Sequence, residues 1–387
     1  MLYLCILTTN DFNVMKKSFI YGVAVEGENF TDRVSETKRL KQDFENGQNV
    51  VLISPRRMGK TSLVRRVISQ VDTNKVVVVY LDIYDCRTEY DFYNKLVSAT
   101  LNQTASKVEQ VLRNVKDFLT RLAPRVSFGF DPANEMSVSL GITPKEYSPE
   151  ELLQLPESLA TRIGKHIVVC IDEFQQIGAF GNSLEVQKRV RGVWQLQQNV
   201  SYCLFGSKKH MLTDMFQNKR MPFYQFGDIR HLQPIPTSDW IPFIRHKFEE
   251  NSQTITDKQI TRICDTVENQ SSYVQQLAWN VMLDSGTKVS DATIDEAVND
   301  LIDQNSILFL QQTDGLSAYQ INFLKALVVG ETGDFTSSAI LQKYNLGSKS
   351  NISRIQESLI KKELIEKTGR AVTIADPVLK LWLLREK

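Results

Sequence analysis

The chain has 387 residues, of which 42% are hydrophobic and 24% charged, a balance that excludes global disorder. At about 100–200 residues per domain it should hold two or three domains. Forty-six Lys and Arg against 45 Asp and Glu leave a net +1, so a surface for nucleic acid or membrane must be local rather than global.

Residues 1–19 read as an N-terminal extension, with disorder expected over 1–14. Its only apolar run is Leu2–Leu7, it lacks a basic leader and a cleavage site, and Met15 before Lys16-Lys17 looks like a natural start. Gly47-Gln48-Asn49 then turns into Val50–Ile53, a short buried-strand pattern. A glycine-containing loop follows, and Lys60–Gln70 places Leu63, Val64, Val67 and Ile68 on one helical face. Val76–Ile83 is a second strand, and Val108 to Leu122 carries the spacing of a long amphipathic helix. Val126–Leu140 alternates around Asp131-Pro132-Ala133-Asn134 and predicts an inserted hairpin. Ile167–Ile171 and Tyr202–Phe205 are further strands, with a helix over 184–198 between them. Strands alternating with helices predict an α/β fold, a parallel sheet covered on both faces.

The pattern changes after Pro234-Ile235-Pro236, beyond which helical periodicity dominates. The expected division is a core over 20–231 with a helix and hairpin inserted near 104–140, a helical lid over 232–311, and a C-terminal module over 312–387. In that module helices at 317–329, 336–344 and 350–361 precede a hairpin around Thr368-Gly369-Arg370, the pattern of a winged helix-turn-helix.

The five cysteines are spread along the chain without a C-x-x-C, and the four histidines make no metal spacing, so neither a disulfide scaffold nor a zinc site is expected. A reduced, cytoplasmic protein fits. No apolar run approaches the ~20 residues of a membrane helix, and no membrane partner is expected.

Ser54-Pro55-Arg56-Arg57-Met58-Gly59-Lys60-Thr61-Ser62 lies between a predicted strand and a predicted helix, the context of a phosphate-binding loop. Backbone N–H groups of such a loop point at the phosphates, and the helix N-terminus adds partial positive charge. Lys60 would reach the β- and γ-phosphates, Thr61 would ligate Mg²⁺, and Gly59 would permit close approach. Ser54 stands where the usual pattern has glycine. Arg56 and Arg57 could touch phosphate or a partner, or form a solvated basic loop. Ile167–Glu173 delivers Asp172 and Glu173 at a strand end, where open α/β sheets bind ligands. Asp172 would hold Mg²⁺ and Glu173 would polarise the attacking water; standing alone, the pair could equally cap a helix. Ser207 could bond the γ-phosphate or the water, or be a turn serine. Asp82 reads best as a loop cap.

These motifs, taken with Phe30-Thr31-Asp32-Arg33, Tyr80-Leu81-Asp82, Ile171–Gln175, Leu204–Ser207, Pro222-Phe223-Tyr224, Asp376-Pro377-Val378 and Trp382, resemble the archaeal-type ATPase family, in the STAND branch of the AAA+ P-loop NTPases. The resemblance runs from about residue 20 to the C-terminus. It implies an ATPase using ATP and Mg²⁺, with an AAA+-like core, a helical lid and a winged helix. It also implies that Phe30 and Arg33 lie near the adenine, although Phe30 could be a core aromatic. Where relatives often have an arginine after Pro-Phe-Tyr this chain has Phe226, so Arg220 or Arg230 would have to substitute as a finger. The lid motif reads Asn269–Gln275, without its usual glycine and proline.

From Ile340 onward ten Lys and Arg meet five Asp and Glu, a local +5. Ser348, Lys349, Asn351 and Arg354 sit at the start of a recognition-type helix and Arg370 on the wing, so DNA is a candidate partner; such modules also dock proteins. The leading expectation is an Mg-ATP-dependent switch that moves the winged helix. The alternative is a DNA-binding regulator with a slow or inactive nucleotide site. A small-molecule kinase is a third reading, disfavoured because the acidic pair suits water.

Overall fold

The computed structural model describes residues 18–108, 126–130, 136–140, 148–331, 334–369 and 371–386. The expectations for residues 1–14, for the helix over 109–122 and for Arg370 lie outside the described residues.

The first part of the chain builds one parallel sheet. In chain order its elements are α1 (Val34–Glu45), β1 (Val50–Ile53), α2 (Lys60–Ile68), β2 (Val76–Asp82), α3 (Glu89–Val108), the hairpin β3 (Val126–Phe130) and β4 (Met136–Leu140), α4 (Pro149–Ile163), β5 (His166–Asp172), α5 (Ser183–Trp194), β6 (Val200–Gly206), α6 (Lys209–Gln217) and β7 (Asp228–His231). The strands lie in the order β2-β5-β6-β1-β7, all paired parallel. β1 and β6 are buried along their whole length, as expected of apolar strands covered on both faces. One face packs on α1 and α2 through Leu40, Phe44, Leu63, Val64 and Val67. The other packs on α3, α4 and α5 through Phe92, Leu96, Leu153, Leu159, Val190 and Trp194.

The parallel sheet is as expected, and so is the antiparallel hairpin, in which Phe128 pairs with Val138 in the backbone register. Five elements of this part have no counterpart in the sequence pattern: α1, α6 and the three that follow. α3 covers Glu89–Val108, ahead of the helix inferred from Val108 onward. β7 is a four-residue edge strand with no buried residue, so it carries no apolar signal. α4 contains Pro156, a residue that argues against helix interiors.

Beyond β7 the chain is helical: α7 (Thr237–Glu250), α8 (Asp257–Thr266), α9 (Ser271–Asp284) and α10 (Asp291–Thr313). α11 (Ala318–Val328), α12 (Ser338–Lys343), α13 (Lys349–Lys361), β8 (Ile365–Thr368), β9 (Ala371–Ile374) and α14 (Pro377–Arg385) complete the winged helix. A reciprocal capping box, Ser317 with Gln320, fixes the start of α11. The four-helix segment and the winged helix share one apolar core, running from Trp240, Tyr273 and Phe309 to Phe323, Leu359 and Trp382. Phe309 of α10 meets Trp382 of α14 with ring centroids 5.9 Å apart. The sheet's two cores are separate from it.

Candidate active site

The C-terminal ends of β1, β6 and β5 are neighbours, and each delivers one motif. β1 runs into Ser54–Gly59, after which α2 opens at Lys60 with Gly59 in the left-handed region (φ +79°) at its N-cap. Glycine tolerates that conformation without cost, whereas Arg57 also adopts it (φ +66°), a local strain the surroundings must hold. Ser54 has no positive φ, so the absence of glycine there costs no backbone strain. It is buried, and its Oγ accepts from Lys60 Nζ at 3.1 Å.

Lys60 is 7% exposed. Its ammonium donates to the carbonyls of Ser54 (3.0 Å) and Pro55 (2.7 Å). Burial lowers its pKa to about 8, against the opposing pull of the Glu173 and Asp172 carboxylates. Thr61 Oγ1 donates to Asp172 Oδ2 at 2.8 Å, and the Tyr80 hydroxyl donates to the same oxygen at 3.0 Å. The other oxygen of Asp172 accepts from the Glu173 N–H at 2.9 Å. Burial raises the Asp172 pKa, with the hydrogen bonds from Thr61 and Tyr80 acting the other way.

Glu173 follows directly in a left-handed conformation (φ +55°), which turns it from the strand axis into the cleft. Its Oε2 accepts from Ser207 Oγ at 3.0 Å and from the Gln175 amide. Gly206 makes this possible: a Cβ there would lie 1.9 Å from Gln175 Oε1 and 3.2 Å from Glu173 Cα. Lys60, Thr61, Asp172, Glu173 and Ser207 thus line one cleft of about 550 Å³.

The opposite wall comes from two other segments. Ile20–Val25 crosses the cleft, held by Val25 N–H to Ser62 Oγ (2.9 Å) and Ile20 N–H to Gln275 Oε1 (3.0 Å). Ser271, Ser272 and Gln275 of α9 close it. Arg56, Arg57, Met58, Gly59 and Ser62 also line it, whereas Pro55 opens on an adjoining cavity.

Phe30 and Arg33 are not on the cleft. Phe30 packs against the α1/α2 face of the sheet, with the Arg66 guanidinium 5.3 Å from its ring centre. Arg33 is 3% exposed and spends its guanidinium on Met58 O and Gln233 O (both 2.9 Å) and on Glu36 (3.0 Å). It braces the loop from outside. Arg230 is held by Asp43 and Asp228, and Arg220 is an exposed residue off the cleft. Asp82 accepts from the Tyr84 N–H at 2.8 Å, closing a turn.

In the winged helix, Ser348, Lys349 and Arg354 are exposed. Asn351 is half-buried and donates to Leu346 O at 3.1 Å. Sequence reasoning gave no role to Tyr80, Gln175, Gln275 or Asp376. Each lies inside a quoted motif, but only the fold shows what it touches.

A parallel sheet whose strand ends hold a lysine-bearing loop and an acidic pair defines a P-loop NTPase fold. Residues 30–277 match the family described as an ATPase domain predominantly from Archaea, and the chain belongs to that family. Residues 307–385 match a family described as "Probable winged helix domain". Among solved structures, a Walker-type ATPase of Pyrococcus abyssi superposes with a TM-score of 0.66 at 17% identity, covering 95% of this chain and 100% of that one. The ORC2 protein of Aeropyrum pernix, in ADPNP and ADP complexes, gives 0.54 at 13% identity, covering 93% and 97%. Comparison with curated proteins finds no match.

Proposed function

We propose that the chain is an Mg-ATP-dependent ATPase switch. The observation that carries this reading is the convergence of Lys60, Thr61, Asp172, Glu173 and Ser207 on one cleft. Lys60 would neutralise the β- and γ-phosphates, helped by the N–H groups of the loop and the start of α2.

Thr61 Oγ1 and Asp172 Oδ2, 2.8 Å apart, are hard oxygen donors suited to Mg²⁺. Held by Thr61 and Asp172, Mg²⁺ would supply neutralisation of phosphate charge.

Glu173 accepts the hydrogen bond of the attacking water and orients it. The water oxygen bonds to the γ-phosphorus as the bond to the β,γ-bridging oxygen breaks. ADP departs with that oxygen, and the water's proton passes to solvent. Ser207 and Gln175 keep the carboxylate aimed, and Tyr80 keeps Asp172 aimed.

The proposed division is core 20–231, lid 232–311 and winged helix 312–387. Because lid and winged helix share one apolar core, the switch would move them together, about the Pro234-Ile235-Pro236 connection and the segment before α1. This coupling is what the STAND-type, AAA+-like reading adds. A cytoplasmic location belongs to the same reading and is supported by the free, buried Cys86, Cys170, Cys203 and Cys264. Among the described residues no helix is long and apolar enough to cross a membrane.

The second reading, a DNA-binding regulator with a slow nucleotide site, is favoured by the exposed Lys349 and Arg354 at the start of α13. Phosphate release from Mg-ATP, with and without duplex DNA, separates the two. Turnover present without DNA supports the ATPase. Tight DNA binding with no turnover in either condition supports the regulator.

A further inference from the structure

Arg57 lies on the phosphate loop yet is bonded to two other parts of the molecule. Its guanidinium donates to Asp376 Oδ2 at 2.7 Å and to the Tyr273 hydroxyl, and it lies 4.4 Å over the Tyr273 ring. Tyr273 in turn donates to Asp376 at 2.8 Å. The carbonyl of Arg57 accepts from Ser272 N–H at 3.2 Å. Loop, α9 and the first residue before α14 therefore meet at a single side chain.

Asp376 cannot follow a moving arginine. Its second carboxylate oxygen accepts from Val378 and Leu379 N–H at 2.9 and 3.2 Å, the N-cap of α14. Arg57, by contrast, is half-exposed and lines the cleft beside Lys60. A nucleoside triphosphate there would offer its guanidinium an anion of higher charge than one carboxylate. The neighbouring contacts between core and winged helix are of the same kind: Arg56 with Glu363 at 3.3 Å and Lys209 with Glu366 at 2.5 Å. They surround a cavity of about 480 Å³, and the apolar clusters of the core are separate from the one that holds the winged helix.

We propose that Arg57 is the residue that reads the nucleotide state: it holds Asp376 of the winged helix when no terminal phosphate is present and exchanges it for the γ-phosphate of a bound triphosphate. This rests on the nucleotide-binding reading above and adds the residue that would link occupancy to winged-helix docking. Linkage makes the effect reciprocal: whatever weakens the Asp376 contact strengthens triphosphate binding, and triphosphate weakens docking by the same factor.

The test is equilibrium binding of ADP and of a non-hydrolysable ATP analogue to the full chain, for wild type, Asp376→Asn, Arg57→Ala and Lys60→Ala. Asparagine keeps the N-cap, and Tyr273→Phe, which keeps the ring, provides a second perturbation of the same contact. Asp376→Asn should tighten the triphosphate analogue by about tenfold, the scale of one charge-assisted hydrogen bond, with ADP affected less. Arg57→Ala should narrow the preference for triphosphate, leaving the part that Lys60 supplies. Amide exchange should show β8 and the start of α14 losing protection on adding the analogue to wild type. An unchanged triphosphate-to-diphosphate ratio in both Asp376→Asn and Tyr273→Phe, with binding still lost in Lys60→Ala, overturns this role for Arg57 and leaves the nucleotide reading standing. Failure of wild type to bind either nucleotide overturns both.

Discussion

The phosphate cleft and the contact between core and winged helix lie side by side and share Arg56 and Arg57, but they are built differently. In the cleft, Lys60, Ser54 and Asp172 are buried and each makes several hydrogen bonds. Such groups are costly to leave unpaired and so are held in place. At the winged helix, the link to the core consists of partly exposed ion pairs around a cavity, each contributing about 0–1 kcal/mol. The winged helix's apolar surface is spent on the lid instead. The site is thus held by buried, multiply bonded groups, whereas the element beside it is joined to the core by partly exposed ion pairs. The core thus meets the winged helix through charge, and the lid meets it through packing.

The comparison can be broken first at the packing. Trp382→Ala, which removes the contact with Phe309, should destabilise the protein by about 3–5 kcal/mol, measured by denaturant unfolding. A loss under about 1 kcal/mol would mean that lid and winged helix are not one body. In the cleft, Gly206→Ala forces Gln175 from Glu173 and should cost about 1–3 kcal/mol from overpacking, together with a loss of phosphate release. Normal turnover in that variant would detach Gln175 from the aiming of Glu173.

The pH dependence of the cleft follows from Lys60. Its folded pKa near 8 lies below the ordinary 10.5, so the unfolded chain holds the extra proton between those values and stability should rise with pH across that window. Nucleotide needs the charged form. Affinity for ATP should therefore fall by about tenfold per pH unit above 8, and titration calorimetry near pH 8.5 in buffers of different ionisation enthalpy should show proton uptake. The smallest effect belongs to the outer ion pair. Lys209→Ala should cost less than about 1 kcal/mol in stability, and a larger loss would contradict the weak attachment of the winged helix.

The sheet and the site were unequally legible. Val50–Ile53, Val76–Asp82, His166–Asp172 and Val200–Gly206 announce themselves because strands buried on both faces are continuous apolar runs. The exposed edge strand β7 does not, and Pro156 disguises α4. At the site, Lys60, Thr61, Asp172 and Glu173 were legible because loop and strand motifs fix their chemistry locally. Arg57 to Asp376 spans 319 positions and Ile20 to Gln275 spans 255, and no local pattern encodes such pairings. Arg33 shows the converse error: a motif marked the residue, but its burial against Met58 and Gln233 makes it a brace.

On the proposed mechanism, Glu173 activates water against ATP held by Lys60. Phosphate release at saturating Mg-ATP, compared between wild type and Glu173→Gln with nucleotide binding measured on the same preparations, tests it most directly. Binding should be unchanged and turnover should fall by about 10²–10⁴-fold. Equal turnover in the two proteins, or none in wild type, would contradict it.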